Sequence, residues 1–372
     1  MVVMANTLNC TICGNTINSF KIFDLLPVSS AHLLDSPITD NLNYSFNAGY
    51  CDQCFHISNI DHRLTDIVNT YTDSQYITKK AISSQMSKNL ETIRDFILSN
   101  LDMSSKELLE IGSGSGELAE YFSLNGAIVT TIDPCIESYN GTQIKHYQEF
   151  FDLNFLNKNN KLYDIIIARH IIEHTQNPIE FLKLCDKITN INSLIYIEVP
   201  NLENTLDAQR AIDFFNDHVQ HFSITSMVST AMSAGFRVVE TLSILNKAHI
   251  GFVLKKQQSI EMLLSKSMKK HKLLIQEINN CENFSIYGAG AHAVTFISQL
   301  DHKNIKKIKN IFDNDINKNK KYLLASNVEI TTPTENNIND SGMIINTAAL
   351  YINEVESFLK NKLNFTGTLL HI

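Results

Sequence analysis

The chain has 372 residues, 44% of them hydrophobic, enough for two or three soluble domains rather than one ordinary core. Its net charge of −8 is spread without a long run of one sign, which argues against a nucleic-acid surface. No apolar stretch approaches the ~20 residues that span a bilayer, and the N-terminus lacks the basic start and apolar run of a signal peptide. The expectation is a cytoplasmic protein without a membrane partner, whose seven cysteines need a use other than disulfides.

Four of those cysteines form two short pairs, Cys10-Thr-Ile-Cys13 and Cys51-Asp-Gln-Cys54, separated by 37 residues. Each C-x2-C pair puts two thiolates on one tight turn, and two such turns complete a tetrahedral zinc site. Four sulfur ligands leave no open position, so Cys10, Cys13, Cys51 and Cys54 predict a structural metal. Cys135, Cys185 and Cys281 lack such spacing and read as core or half-buried residues.

Residues 79–98 carry Ile82, Met86, Leu90, Ile93 and Ile97 at helical spacing. An apolar strand (Leu108, Leu109, Ile111) follows and opens a turn, Glu110-Ile-Gly112-Ser-Gly114-Ser-Gly116, before a helix-like run from Leu118 to Phe122. Strand Ile128–Ile132 then delivers Asp133 at its carboxyl end. Ligands of open α/β sheets sit outside those ends, and glycines let the backbone approach them closely. Asp133 is placed for the two hydroxyls of an adenosine ribose. Nicotinamide-binding folds use a similar turn, but here the glycines alternate and an acid, Glu110, stands two residues before the first. That acid suits the sulfonium and ammonium of S-adenosylmethionine better than a pyrophosphate.

Further strands are expected at 164–168 and 194–199, the second closed by Pro200, with helices between them. This alternation predicts an α/β fold, a doubly wound and mostly parallel sheet. Gly235 reads as a helix C-terminal cap before strands at 236–241 and 250–254. Two polar clusters follow strand ends: Arg169-His170-Ile-Ile-Glu173-His174, and Phe214 to Ser223. His174 is the better candidate to face a substrate, and Arg169 or His170 to border the cofactor. Ser223 or Thr225 would cap the next helix.

Residues 257–280 read as an amphipathic, lysine-rich connecting helix. A second α/β unit then opens with Phe284-Ser-Ile-Tyr-Gly288-Ala-Gly290 and a strand, 308–312, ending at Asp313. The last 60 residues look too short for a second mononucleotide-binding half, so this turn reads as architectural repetition.

Taken together, these motifs resemble a known family over essentially the whole length: zinc-containing C-methyltransferases that act on nucleotide-activated deoxysugars. The resemblance implies an N-terminal zinc-binding domain (1–78), a class I S-adenosylmethionine-dependent methyltransferase domain (79–256) and a smaller Rossmann-like domain (257–372). It implies S-adenosylmethionine and zinc as cofactors and a nucleotide-linked sugar as the small-molecule partner. The family segment Tyr-His-Glu-His-x-x-Tyr-Phe-Ser aligns with Phe215 to Ser223. His218 then matches the general base and Asp217 replaces a glutamate, fixing the His218 tautomer or binding a sugar hydroxyl. His174 and Tyr76 match groups that orient sugar oxygens. The chain departs from the family at Phe215, Asn216 and the strand opening His249-Ile250-Gly251-Phe252. Loss of the phenol at Phe215 leaves O-methylation as the alternative to C-methylation through an enolate.

Overall fold

The computed structural model describes residues 8–30, 43–62, 71, 83–100, 103–135 and 144–372. The chain divides into two compact units, residues 1–257 and 258–372. In the first, β1 (Asn18–Pro27), β2 (Asn43–Cys51) and β3 (His56–Asn59) make an antiparallel meander. The two cysteine pairs flank it, Cys51 ending β2 and Cys54 lying in the turn to β3.

Next come α1 (Ser84–Asn100), β4 (Glu107–Ile111), α2 (Glu117–Leu124), β5 (Ile128–Ile132), β6 (Lys145–Tyr147) and β7 (Tyr163–Arg169). They are followed by α3 (Pro178–Lys187), β8 (Thr189–Pro200), β9 (Gln220–His221), α4 (Ile224–Ser233), β10 (Phe236–Ile244) and β11 (His249–Lys256). The central sheet has the order β10-β11-β8-β7-β4-β5-β6. Its strands β4 to β8 run parallel, whereas β11 lies antiparallel between β8 and β10.

Continuous apolar runs form these strands because both faces are covered. On β7, Ile165 and Ile167 pack with Ile93, Ile97 and Phe122 on one side of the sheet. Ile166 and Ala168 point the other way, among Phe181, Leu182, Met227 and Ala231 of α3 and α4. Local chemistry sets the helix starts. Asn177 caps α3 through a bond from the Glu180 amide, with Pro178 at its first position. Ser223 caps α4 in a reciprocal box with Ser226. Gly235 follows α4 with φ +87°, a left-handed geometry that favours glycine.

β9 belongs to the other sheet. It pairs antiparallel with β3, Ile57 opposite His221 and Ser58 opposite Gln220, and so joins the meander to the chain after β8. Of the expected helix at 79–98, residues 84–100 are helical and 79–82 lie outside the described residues.

The second unit begins with α5 (Ile260–Asn280), of which Leu274 and Ile278 are buried while Ile260 and Leu264 are exposed. Then follow β12 (Phe284–Tyr287), α6 (Ala291–Ser298), β13 (Ile308–Phe312), β14 (Ile330–Thr331), β15 (Met343–Asn346) and β16 (Thr368–His371). All five strands are parallel in the order β14-β13-β12-β15-β16. β15 and β16 extend the sheet on the far side of β12, two strands where a mononucleotide-binding half has three. Four-residue strands were enough to build it.

Among the described residues no helix is long and apolar enough to cross a membrane.

Ser223→Ala should remove the α4 cap and cost roughly 0.5–2 kcal/mol in urea denaturation, whereas the exposed Thr225→Ala should change little. Equal losses from both would reassign the cap.

Candidate active site

The turn after β4 is held in place at several points. Gly112, Gly114 and Gly116 all have positive φ, at 70°, 52° and 77°. A Cβ on Gly112 would lie 2.0 Å from Ile171 Cδ1, so this position is closed to any side chain unless Ile171 moves. The Gly114 amide donates to Asp133 Oδ2 at 2.8 Å, and the Cys135 amide donates to Oδ1 at 2.9 Å. Asp133 is buried at the end of β5. A carboxylate has about four lone-pair sites, so among the described residues these two amides leave part of Asp133 for another donor.

Glu110, one position from the end of β4, is buried with Oε2 lacking a partner among the described residues. Burial raises its carboxyl to about 7, although Arg169 and the Ala119 amide pull the other way. Arg169 does not reach outward. Its Nε donates to Glu198 Oε2 at 2.6 Å, and burial of that pair is offset by mutual attraction, which holds Glu198 well below the usual carboxylate range.

His170 follows with φ +53°, an uncommon conformation for a non-glycine residue. Its Nδ1 lies 3.2 Å from Glu173 Oε1 and its Nε2 3.2 Å from Glu198 Oε1. Burial alone would lower its pKa, but these two carboxylates carry it up to about 9. His249 Nδ1 lies 3.4 Å from the same Glu198 oxygen. Arg169 and His170, expected to border the cofactor, are thus both engaged by Glu198. The sequence reading gave Glu198 no role, yet a carboxylate inside the apolar run Ile195 to Val199 was a visible signal.

His174 lies on the turn that continues from His170. His174 Nδ1 is 2.7 Å from the Asp217 carbonyl, which can only accept, so Nδ1 carries a proton and the neutral ring has its lone pair on Nε2. The Tyr71 hydroxyl lies 2.8 Å from the same Nδ1. His174 and His218 pack with ring centroids 4.8 Å apart. Asp217 Oδ2 accepts from Ser29 Oγ, Ser30 N and Ser30 Oγ at 3.2–3.3 Å, which ties the carboxylate to the end of the meander, while its buried Oδ1 has no partner among the described residues. It orients His174 through its carbonyl, and no bond from its carboxylate to His218 is formed. Tyr76 lies outside the described residues; the tyrosine found at the cluster is Tyr71, from the same hexapeptide. Asn216 spans the seam, its amide donating to the Leu26 and Pro27 carbonyls and accepting from Asn59.

His56 and His221 are buried and neutral, burial pushing them down to about 4 and about 3. His56 Nε2 meets Gln220 Oε1 at 2.8 Å. The sulfurs of Cys10, Cys13, Cys51 and Cys54 converge within 4.8 Å of one another, with Cys10–Cys54 at 3.6 Å and Cys13–Cys51 at 3.5 Å. Ile12 N and Asn15 Nδ2 donate to two of them. Four convergent thiols with amide donors are a donor set that fits a tetrahedral zinc ion.

The methyltransferase domain family matches residues 82–241. The strand order, the glycine turn and this match agree. The middle of the chain is a class I S-adenosylmethionine-dependent methyltransferase domain. Among curated proteins, the ubiquinone biosynthesis O-methyltransferase of Rickettsia conorii is 25% identical to the chain over 154 residues, 39% of this chain and 53% of that protein. The enzyme of the same name from Rickettsia prowazekii is 32% identical over 100 residues, 25% of this chain and 40% of its own. The chain thus spans about half the length of the curated relatives it matches. A solved structure of the 1,6-didemethyltoxoflavin-N1-methyltransferase of Burkholderia thailandensis aligns with 12% identity and a TM-score of 0.40, over 60% of this chain and 99% of that one.

The methyltransferase domain carries a pH signature at Glu110. Its folded pKa is raised from 4.5 to about 7, so its contribution to stability is complete below pH 4.5 and is lost as pH rises through about 7. Glu110→Gln stays neutral, so it should gain stability relative to the native protein between about pH 5 and 8, by a few kcal/mol at most. A pH-independent difference in urea denaturation would show that Glu110 is ionised throughout.

Proposed function

We propose that the chain is an S-adenosylmethionine-dependent methyltransferase acting on a nucleotide-activated keto- or deoxysugar, with carbon as the methylated atom. One adjacency carries this reading. Ile171 packs on Gly112 of the cofactor turn, and His174, three residues on, packs on His218. Methyl donor and candidate base therefore share one edge of the sheet.

When bound, the methyl donor supplies an activated sulfonium. The glycine turn would lie along it, and the free lone pairs of Asp133 would accept from the ribose hydroxyls. Ionised Glu110 would balance its positive charge, which binding would favour over the protonated acid. Methyl transfer is an in-line displacement, so the protein's main task is alignment, worth up to about 7–11 kcal/mol. Carbon methylation first needs a proton removed beside a carbonyl. His218 takes that proton; His174 Nε2 accepts from a sugar hydroxyl, and the Tyr71 phenol donates to the enolate oxygen. Tyr71 then supplies the donor that Phe215 lacks. Zinc on Cys10, Cys13, Cys51 and Cys54 would have closed coordination and a structural role, holding the meander whose Ser29 and Ser30 grip Asp217.

A second reading is O-methylation, in which His218 takes a hydroxyl proton and no enolate forms. Phe215 favours it, as do the relatives, which are named as O-methyltransferases.

Calorimetry should find binding of S-adenosylhomocysteine and none of NADH, and metal analysis one zinc on the cysteine cluster. Mass spectrometry of products from a panel of nucleotide-linked sugars should show a methyl gain that His218→Ala abolishes while homocysteine-cofactor affinity stays unchanged. Deuterium wash-out beside the ketone before transfer supports carbon as acceptor; methyl gain without it moves the assignment to oxygen. Binding of NADH alone would overturn both readings.

A further inference from the structure

The ends of three neighbouring strands bring His170, Glu198 and His249 together on the carboxyl edge of the central sheet. His170 follows β7, Glu198 lies near the end of β8, and His249 opens the antiparallel β11 opposite Pro200. Two imidazole nitrogens face a single carboxylate oxygen, His170 Nε2 at 3.2 Å and His249 Nδ1 at 3.4 Å from Glu198 Oε1. Two ligands of a tetrahedral ion, each about 2.0–2.1 Å from the metal, lie about 3.4 Å apart. The observed separations fall on that edge length.

The cysteine cluster offers an internal comparison. Thiolates 2.3 Å from zinc would stand about 3.8 Å apart, and their separations here are 3.5 and 3.6 Å. Both donor sets are therefore drawn together to nearly the spacing of metal ligands.

The surroundings agree. Glu173, buried at 1% exposure, stands behind His170 with Oε1 on Nδ1. A carboxylate on the far nitrogen is the usual support of a metal-binding histidine, since it fixes the tautomer that leaves Nε2 free to ligate. Arg169 occupies Glu198 Oε2, so Oε1 alone faces the imidazoles. The buried Tyr196 hydroxyl, whose electrostatic neighbours include Glu198 and Arg169, has no partner among the described residues. The two histidine side chains are 31% and 27% exposed, so an ion held here would keep positions open to water or an oxygen of the methyl acceptor.

We propose that His170, Glu198 and His249 form a second metal site, an open two-histidine, one-carboxylate site for a borderline divalent ion such as Zn2+ or Co2+. It is distinct from the closed cysteine site in donors and in accessibility, and the proposal stands whichever atom is methylated.

Full-length protein already carrying one zinc on its cysteines is titrated with Co2+ and followed by visible absorption. The expected result is one further equivalent whose spectrum lacks thiolate-to-cobalt charge transfer. His249→Gln should abolish this uptake, as should His170→Asn, chosen because asparagine tolerates the left-handed φ. Glu173→Gln should weaken it by roughly 10–100-fold. Near-ultraviolet circular dichroism identifies folded variants, and His249→Gln alone decides the matter if His170→Asn does not fold. Uptake confined to the thiolates, unchanged uptake in folded His249→Gln, or histidine NMR signals that titrate as imidazoliums and ignore Co2+ would overturn the site.

Discussion

The side-chain amide of Gln220 ties the candidate active site to the meander and to the turn after β7. Gln220 is buried; its Oε1 meets His56 Nε2, and its Nε2 reaches the Thr175 and Gln176 carbonyls. It lies on β9, whose backbone pairs with β3, while the Asn59 amide donates to the Val219 carbonyl. The cysteine-bearing meander, the turn after β7 and the segment carrying Asp217 and His218 are thereby fixed to one another. Replacing this amide by an apolar side chain would leave its buried partners unmatched, and each unmatched polar group costs about 1–3 kcal/mol.

The same seam explains why the cysteine cluster and the methyltransferase domain share one compact unit. Among the described residues, Phe46 and Ala48 of the meander pack with Leu202 and Phe214 contributed by the chain after β8. Small modules of this kind ordinarily lean on a metal or a partner for stability. Here the cysteine cluster lies at one end of β2 and β3, and the β9 pairing lies on the outer edge of β3. Asp217 completes the arrangement by accepting from Ser29 and Ser30 with its carboxylate while its carbonyl sets the His174 tautomer.

What was legible in the sequence follows from what is local. β5 matches its expected bounds, 128–132, because an apolar run is closed on one side by Gly126 and on the other by Asp133. The α4 cap at Ser223 and the C-terminal glycine at Gly235 are properties of a few adjacent residues and were legible for that reason. Pairing was not. That β11 pairs antiparallel with β8 depends on a partner some 50 residues away. Asp217 looked like a partner for its neighbour His218, yet Ser29 and Ser30 hold it from across the fold. Glu198 shows the opposite failure: the signal, a buried acid in an apolar strand, was present, and only the approach of Arg169, His170 and His249 gives it meaning.

The two glycine turns reuse one device, and their difference bears on what each can hold. In the second unit the Ala289 amide donates to Asp313 Oδ2 and the Asp315 amide to Oδ1, both at 2.8 Å, as Gly114 and Cys135 do for Asp133. There the likeness ends. Lys318 Nζ lies 2.7 Å from Asp313 Oδ2, so the second carboxylate has a cation of its own where Asp133 retains lone pairs. Gly288 is also closely covered: Thr347 Oγ1 donates to its carbonyl at 2.6 Å, and a Cβ there would lie 3.0 Å from the Ala348 amide nitrogen. The acid of the second turn is thus neutralised by a lysine and its glycine is packed by the chain that follows β15. A shared fold device does not imply a shared ligand: Asp313 carries a lysine and Asp133 has no such cation among the described residues, which makes the first turn the candidate for adenosine.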